Sequence, residues 1–290
     1  MFVSDEVVYL QMQKTGSTHV TEVLQKYCRG SQEPKHSQLR DYDEYRERLI
    51  VSSIRNPWDW YVSLWAFGCL GRGGLRKYID RLPRSEWRAA RERNDLVSMA
   101  AFPFRLIGRL VQDPDWRTLY SDTTNEANFR RWLKLVIGAE GRHIGKEGYA
   151  SSPVKNVIGL MTYRYLALTT EYRHWISQGC KCHTYAELEQ FAHKHSIVGT
   201  VLCMENLNED LLALLNRLGV AVSAKDAAGW GKDNTSVHRR YRNYYDDETI
   251  RLVASRDRFI VDRFGYTVAR ATKATVPQSR QPDCPGFVRR

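Results

Sequence analysis

The stretch Val7-Val8-Tyr9-Leu10-Gln11-Met12-Gln13-Lys14-Thr15-Gly16-Ser17-Thr18 decides how the rest of the chain is read. Val7 to Leu10 is a short β-branched and aromatic run, the mark of a buried strand. It runs into a polar loop, after which Val20, Val23, Leu24 and Tyr27 recur at the period of one helix face. A second unit of the same kind starts at Leu49-Ile50-Val51-Ser52-Ser53-Ile54. It passes through Arg55 to Asn56, suited to a helix N-cap, and Pro57, suited to the first helical position. Two strand-to-helix units so close together predict an α/β fold, with a central parallel sheet and helices on both faces.

Further along, residues 70–190 read as largely helical. A basic helix is expected from Ser85 to Arg93, another after Asn128, and a buried segment from Leu160 to Leu168. Val198 to Cys203 reads as a third strand, with Asn208 as the cap of a leucine-rich helix stopped by Gly219. Asp246 and Asp247 open the clearest helix, whose apolar stripe of Ile250, Val253, Ala254, Val261 and Phe264 runs unbroken to Gly265. Asp257 falls on that stripe, where an arginine partner is expected. The chain is near the upper size for one core, so a single domain over 1–270 is expected, followed by a disordered tail rich in Pro, Gln and Arg over 271–290.

Hydrophobic residues at 42% and charged residues at 27% exclude a disordered, collagenous or mini-protein chain. Six cysteines make no disulfide framework. Leu96 to Phe104 is too short to span a bilayer and contains Pro103. Asp5 and Glu6 just before the first predicted strand speak against a secretory signal, so a cytoplasmic location is expected. With 44 Lys and Arg against 33 Asp and Glu, the net charge is +11 and the partner should be anionic. Of those cations 32 are Arg, whose planar fork matches phosphate and sulfate oxygens.

A Lys-Thr-Gly-Ser-Thr loop opening a helix is suited to phosphate. Unpaired N–H groups face the anion, the hydroxyls of Thr15, Ser17 and Thr18 add donors, and Lys14 adds charge. It is not a Walker A loop, since here the lysine precedes Gly16. Arg55 stands at the carboxyl end of the second strand, where open α/β sheets bind ligands, and Ser63 follows on the next helix; the pair could grip a second phosphate. Taken singly, the plain alternatives are a capped surface loop and an arginine capping a neighbouring helix.

Together, in this order and about forty residues apart, the two motifs resemble the sulfotransferases that use 3′-phosphoadenosine 5′-phosphosulfate (PAPS). Met204-Glu205-Asn206-Leu207 is similar to that family's strand-end segment. Lys232-Asp233-Asn234-Thr235-Ser236 with Tyr241-Arg242-Asn243-Tyr244-Tyr245, and Phe264-Gly265-Tyr266, are similar to the late loop and terminal helix stop of carbohydrate sulfotransferases. The resemblance implies a P-loop-like nucleotide-binding architecture with a helical acceptor-binding insertion. It puts Lys14, Thr15, Gly16, Ser17 and Thr18 on the 5′-phosphosulfate, Arg55 and Ser63 on the 3′-phosphate, and Lys232 on the donor. PAPS is then the donor, 3′-phosphoadenosine 5′-phosphate (PAP) the product, and a saccharide hydroxyl the acceptor, with no metal required. A cationic rim would suit an acceptor that already carries carboxylate or sulfate. The absence of an anchor resembles a bacterial cytoplasmic enzyme or the soluble catalytic domain of a Golgi-type one. His36 matches the Lys-Thr-His segment of the cytosolic members and is the expected general base, with Glu22 or an acid from the variable middle as the alternative.

Other features read more plainly. Cys180-Lys181-Cys182-His183 lacks a second zinc-like pair, and Asn234-Thr235-Ser236 is a formal glycosylation sequon only. His193 and His195 suit a helix C-terminus. Trp58, Trp60 and Trp65, at helical spacing, are core residues or a sugar platform. Two rival functions stay open: a P-loop-like small-molecule kinase, for which Glu205 is the one tempting magnesium ligand, and a basic nucleic-acid-binding protein, which the arginines would suit.

Overall fold

The computed structural model describes residues 1–77, 116–139, 148–231 and 239–268. The basic helix expected at Ser85–Arg93, the loop from Lys232 to Ser236, and the tail over 271–290 lie outside them.

Five strands form one open sheet, β1 (Phe2–Ser4), β2 (Val7–Leu10), β3 (Gly30–Gln32), β4 (Leu49–Ile54) and β5 (Thr200–Cys203), in the order β3-β1-β2-β4-β5. Strands β2, β4 and β5 are parallel, with Val7 opposite Leu49 and Val51 opposite Thr200. The other two pairings, β1 with β2 and β1 with β3, are antiparallel, so the expected parallel sheet is a mixed one. Its physical reason is length. Only Asp5 and Glu6 separate β1 from β2, enough for a tight turn and far too few for a parallel crossover. Ser4 closes that turn, its hydroxyl oxygen accepting from the N–H groups of Glu6 and Val7.

Both faces of the sheet are covered, and alternation along each strand decides which residue goes where. Val7, Tyr9, Val51 and Leu202 pack with α1 (Ser17–Tyr27) and the leucine helix. Val8, Leu10, Ile50 and Ile54 pack in the other, larger core with α2 (Pro57–Cys69) and the helices of the middle of the chain. That middle is helical where it is described. It comprises α3 (Trp116–Leu119), α4 (Glu126–Ile137), α5 (Leu160–Thr169), α6 (Tyr172–Ser177) and α7 (Tyr185–His195). Asn125 caps α4, which therefore opens ahead of Asn128, the residue after which the sequence predicts it. Almost every residue of α5 is buried, which fits a helix apolar nearly all round.

A 3-10 turn at Met204–Asn206 leads from β5 into α8 (Leu207–Arg217), followed by α9 (Ala224–Ala228). Asn208 is therefore inside the helix and not its cap. Its amide bridges His19 Nε2, at 2.8 Å, and the carbonyl of Trp230. Asn56 does cap α2, accepting from the N–H of Trp58. The three tryptophans are core residues. Their indole N–H groups donate to Ile250 O (Trp58), Gln13 O (Trp60) and Leu119 O (Trp65), each tying α2 to another segment.

The long helix expected after Asp246 is two, α10 (Asp247–Arg256) and α11 (Arg258–Phe264), broken at Asp257. The carbonyl of Arg256 accepts from Gly159 N at 2.6 Å. Asp257, fully buried, accepts from Tyr61 Oη at 2.7 Å and from the N and Oγ1 of Thr162 at 2.8 Å. Its hydrogen-bond partners are thus a tyrosine and a threonine, while the expected buried arginine, Arg256, acts on it through charge alone; burial still pushes its carboxyl pKa up. Among the described residues no helix is long and apolar enough to cross a membrane.

Asp257 joins α2, α5 and the C-terminal helices, so its removal strands three buried donors. Asp257→Ala should lose about 3 kcal/mol or more in urea unfolding, and Tyr61→Phe about 1 to 2 kcal/mol. A loss under about 0.5 kcal/mol for Asp257→Ala would contradict this assignment.

Candidate anion-binding site

The carboxyl ends of the three parallel strands turn into loops at the same edge of the sheet, where ligands collect in open α/β folds. Beyond them lies a cavity of about 790 Å³. From β2 come Gln13, Lys14, Gly16, Ser17, Thr18 and His19; from β4 come Arg55 and, two turns into α2, Ser63; from β5 comes Met204. Lys35 and His36 close it from the loop before β4, Arg72 to Leu75 from the end of α2, and Arg164 from α5. Of the residues expected to work together, Lys14, Gly16, Ser17, Thr18, His36, Arg55 and Ser63 all line this one cavity.

Thr15 departs from the expectation. It is fully buried, and its hydroxyl donates to Met12 O and meets Ser53 Oγ at 2.6 Å; Ser53 in turn meets Tyr9 Oη at 2.7 Å. A hydroxyl so placed anchors the loop to the sheet and offers nothing to the cavity. Lys232 lies outside the described residues. Glu22 is exposed on α1 and takes no part in the lining.

The turn itself is tightly determined. Gly16 has φ +76°, which strains any residue with a side chain, and a Cβ there would also press 2.6 Å from Leu207 Cδ2 and 2.7 Å from Met204 Sδ, so glycine is strongly favoured. α1 starts at the next residue without a side-chain cap, which leaves its first-turn N–H groups directed to the cavity end. Among the described residues two non-glycines have positive φ, Lys14 and His36, both at 63°, and both line the cavity. Such conformations cost roughly 1 kcal/mol or more and gather at functional sites.

Charge at the site is one-sided. Lys14, Lys35, Arg55, Arg72 and Arg164 line the cavity, with His19 and His36, and no carboxylate is among the described lining residues. Burial and then the neighbouring Arg55 lower the Lys14 ammonium from 10.5 to about 8. Its Nζ sits 4.2 Å from the centre of the Phe67 ring. Arg55 is oriented by Asp59, whose Oδ2 lies 2.7 Å from both Nε and Nη2, while Nη1 reaches Lys14 O at 3.3 Å. Arg55 is thus held by an ion pair with Asp59 in the first turn of the following helix, and with five donors the guanidinium can also reach an anion.

His36 Nδ1 is 2.7 Å from Gln11 O. A carbonyl oxygen only accepts, so Nδ1 carries the proton and Nε2 is the basic nitrogen of the neutral ring. Behind the cavity, Glu205 is spent on structure. Its Oε1 accepts from Asn56 N at 2.7 Å and its Oε2 from Tyr266 Oη at 3.0 Å, and burial pushes its pKa up. Arg72 opens the basic run 72–93 visible in the sequence, whereas Arg164 and Lys35 carry no role in that reading. For Arg164 a signal existed, a lone charge within the apolar run of α5; its guanidinium lies 5.8 Å from the Trp60 ring.

No protein-family model matches this chain, and no curated protein or solved structure matches it either.

Because the Lys14 pKa is depressed, an anion settling beside it should raise it again. Binding of adenosine 3′,5′-bisphosphate between pH 8 and 9 should take up a proton, read by calorimetry in buffers of different ionisation heat, and Lys14→Gln should abolish the uptake. In the free protein the sign is the converse: stability rises with pH from about 8 to 10.5, where the unfolded chain holds the proton and the folded one does not. Equal uptake in the variant would contradict the placement of Lys14.

Proposed function

We propose that this chain is a PAPS-dependent sulfotransferase acting on an acceptor hydroxyl, most simply that of a saccharide. The observation that carries the reading is the meeting, in one cavity without a described carboxylate, of two anion grips from two adjacent parallel strands. One is the Lys14–Thr18 turn and the other is Arg55 with Ser63. A nucleotide with phosphates at both its 5′ and 3′ positions needs two such grips, and a nucleoside triphosphate needs one. On this reading the turn is a P-loop-like nucleotide site without the Walker lysine, and the helices of the middle of the chain flank the acceptor. The five described cysteines are all unpaired, which suits a reducing compartment.

The chemistry divides among the chain's own residues. The acceptor oxygen attacks sulfur, and the bond from sulfur to the bridging oxygen breaks in line. His36 Nε2 takes the acceptor's proton, and PAP leaves with the electron pair of the broken bond. In a loose transition state of this kind the protein chiefly positions the partners and neutralises charge. Lys14, protonated at neutral pH with a pKa near 8, stabilises the charge growing on the bridging oxygen. The first-turn N–H groups of α1 and the hydroxyls of Ser17 and Thr18 hold the 5′ end.

A kinase would require a carboxylate for magnesium, and the tempting Glu205 has both oxygens engaged behind the site. Calorimetric titration with PAP, 5′-AMP and ATP separates the readings. PAP should bind tightest, with the 3′-phosphate contributing about tenfold to hundredfold in affinity, and Arg55→Ala should remove that increment. His36→Ala should leave PAP affinity within about threefold and Lys14→Ala should weaken it by about tenfold, while each lowers turnover by about a hundredfold or more. Indifference to the 3′-phosphate, or a preference for ATP, would overturn the assignment.

A further inference from the structure

Outside the cavity, a second group of reactive side chains comes together where α5 gives way to α6. Glu171 and His174 stand one helical turn apart at the start of α6, and His195 ends α7. The two segments are tied by the antiparallel bridge of Thr170 with Ser196 and by the bonds Ile197 N to Thr169 O and Glu171 N to His195 O. The imidazoles of His174 and His195 stack at 4.1 Å with 28° between their planes, and His174 Nε2 lies 3.4 Å from Glu171 Oε2. One donor atom from each of the three residues lies within 4.8 Å of the other two. His195 is buried against Phe191, while His174 and Glu171 face outward.

We infer that Glu171, His174 and His195 form a binding site for a divalent transition-metal ion of the zinc class. Two imidazoles and one carboxylate suit Zn²⁺, Co²⁺ or Ni²⁺, whereas Mg²⁺ and Ca²⁺ demand oxygen ligands. The i, i+3 pairing of a glutamate with a histidine is a spacing that helices use to point two ligands at one ion. Bond lengths of about 2.0–2.2 Å require the donors to draw closer by about 1 Å, and the outward His174 ring is the one free to turn about its χ2. A cavity of about 330 Å³ reaches the cluster at His195, while Glu171 and His174 stand at the surface beside it. Three protein ligands leave a coordination position for water. The ion would brace the end of α5, the helix that carries Arg164 to the anion cavity, so its role is structural and independent of the proposed reaction.

Titration of the full chain with Zn²⁺ by calorimetry, and with Co²⁺ by visible spectroscopy, tests this. One ion should bind per chain, the Co²⁺ complex should show ligand-field bands without thiolate charge transfer, and His174→Ala and Glu171→Gln should each weaken binding by about tenfold or more. Both altered residues are partly exposed, so the variants should keep the circular dichroism of the parent. Cys180→Ser with Cys182→Ser should bind as the parent does. Absence of saturable binding, unchanged affinity in the His174 and Glu171 variants, or a thiolate band lost with the cysteines would each overturn the site.

Discussion

Thr15 gives its hydroxyl to the protein and not to the cavity, and the geometry of the site depends on that contact. Tyr9 in β2, Ser53 in β4 and Thr15 in the loop form a buried hydroxyl chain with links of 2.7 and 2.6 Å. This chain nails the turn between β2 and α1 to two adjacent parallel strands. Burial raises the tyrosine pKa well above its ordinary value, and an unmade bond in such a place costs about 1–3 kcal/mol. From the other side Trp60 donates to Gln13 O, and Gly16 fits against Leu207 and Met204 with no room for a side chain. Held on these sides, Lys14 keeps its left-handed backbone, and α1 presents its N-terminus to the same space as Arg55.

α2 is the other fixed element. Asn56 caps it and, through its own N–H, leans on Glu205, whose second oxygen takes Tyr266. The chain beyond α11 is thereby fastened to the mouth of the sheet, since Asn56 also donates to Thr267 O at 3.1 Å. One turn on, Asp59 aligns Arg55, and one turn further Ser63 enters the cavity wall. A single helix thus sets the orientation of the arginine and its distance from the serine. Burial first, and then the neighbouring Arg55, lower the Lys14 pKa, and an anion settling among these cations offsets both effects.

Much of this was legible in the sequence because it is local. β2, β4, the N-cap at Asn56 and the glycine of the turn are short-range patterns, and Lys14, Arg55 and Ser63, which they carry, line one cavity. What was not legible is set by distant partners. β1 and β3 are three residues each, and β3 is exposed along its length, so neither has a period to read. The break at Asp257 depends on Tyr61 and Thr162, 196 and 95 residues away. The role of Thr15 depends on Ser53 in the next strand. Lys35, Arg72 and Arg164 reach the cavity from separate elements, and only the basic run opening at Arg72 and the charge buried in α5 left a trace in the sequence.

The most direct test of the two-grip cavity is a crystal structure of the chain with PAP bound. The 3′-phosphate is expected on Arg55 and Ser63, and the 5′-phosphate on the N–H groups of residues 16–18, within reach of the Lys14 ammonium and on the side of His36. A nucleotide bound outside this cavity, or one whose 3′-phosphate makes no contact with Arg55, would contradict it.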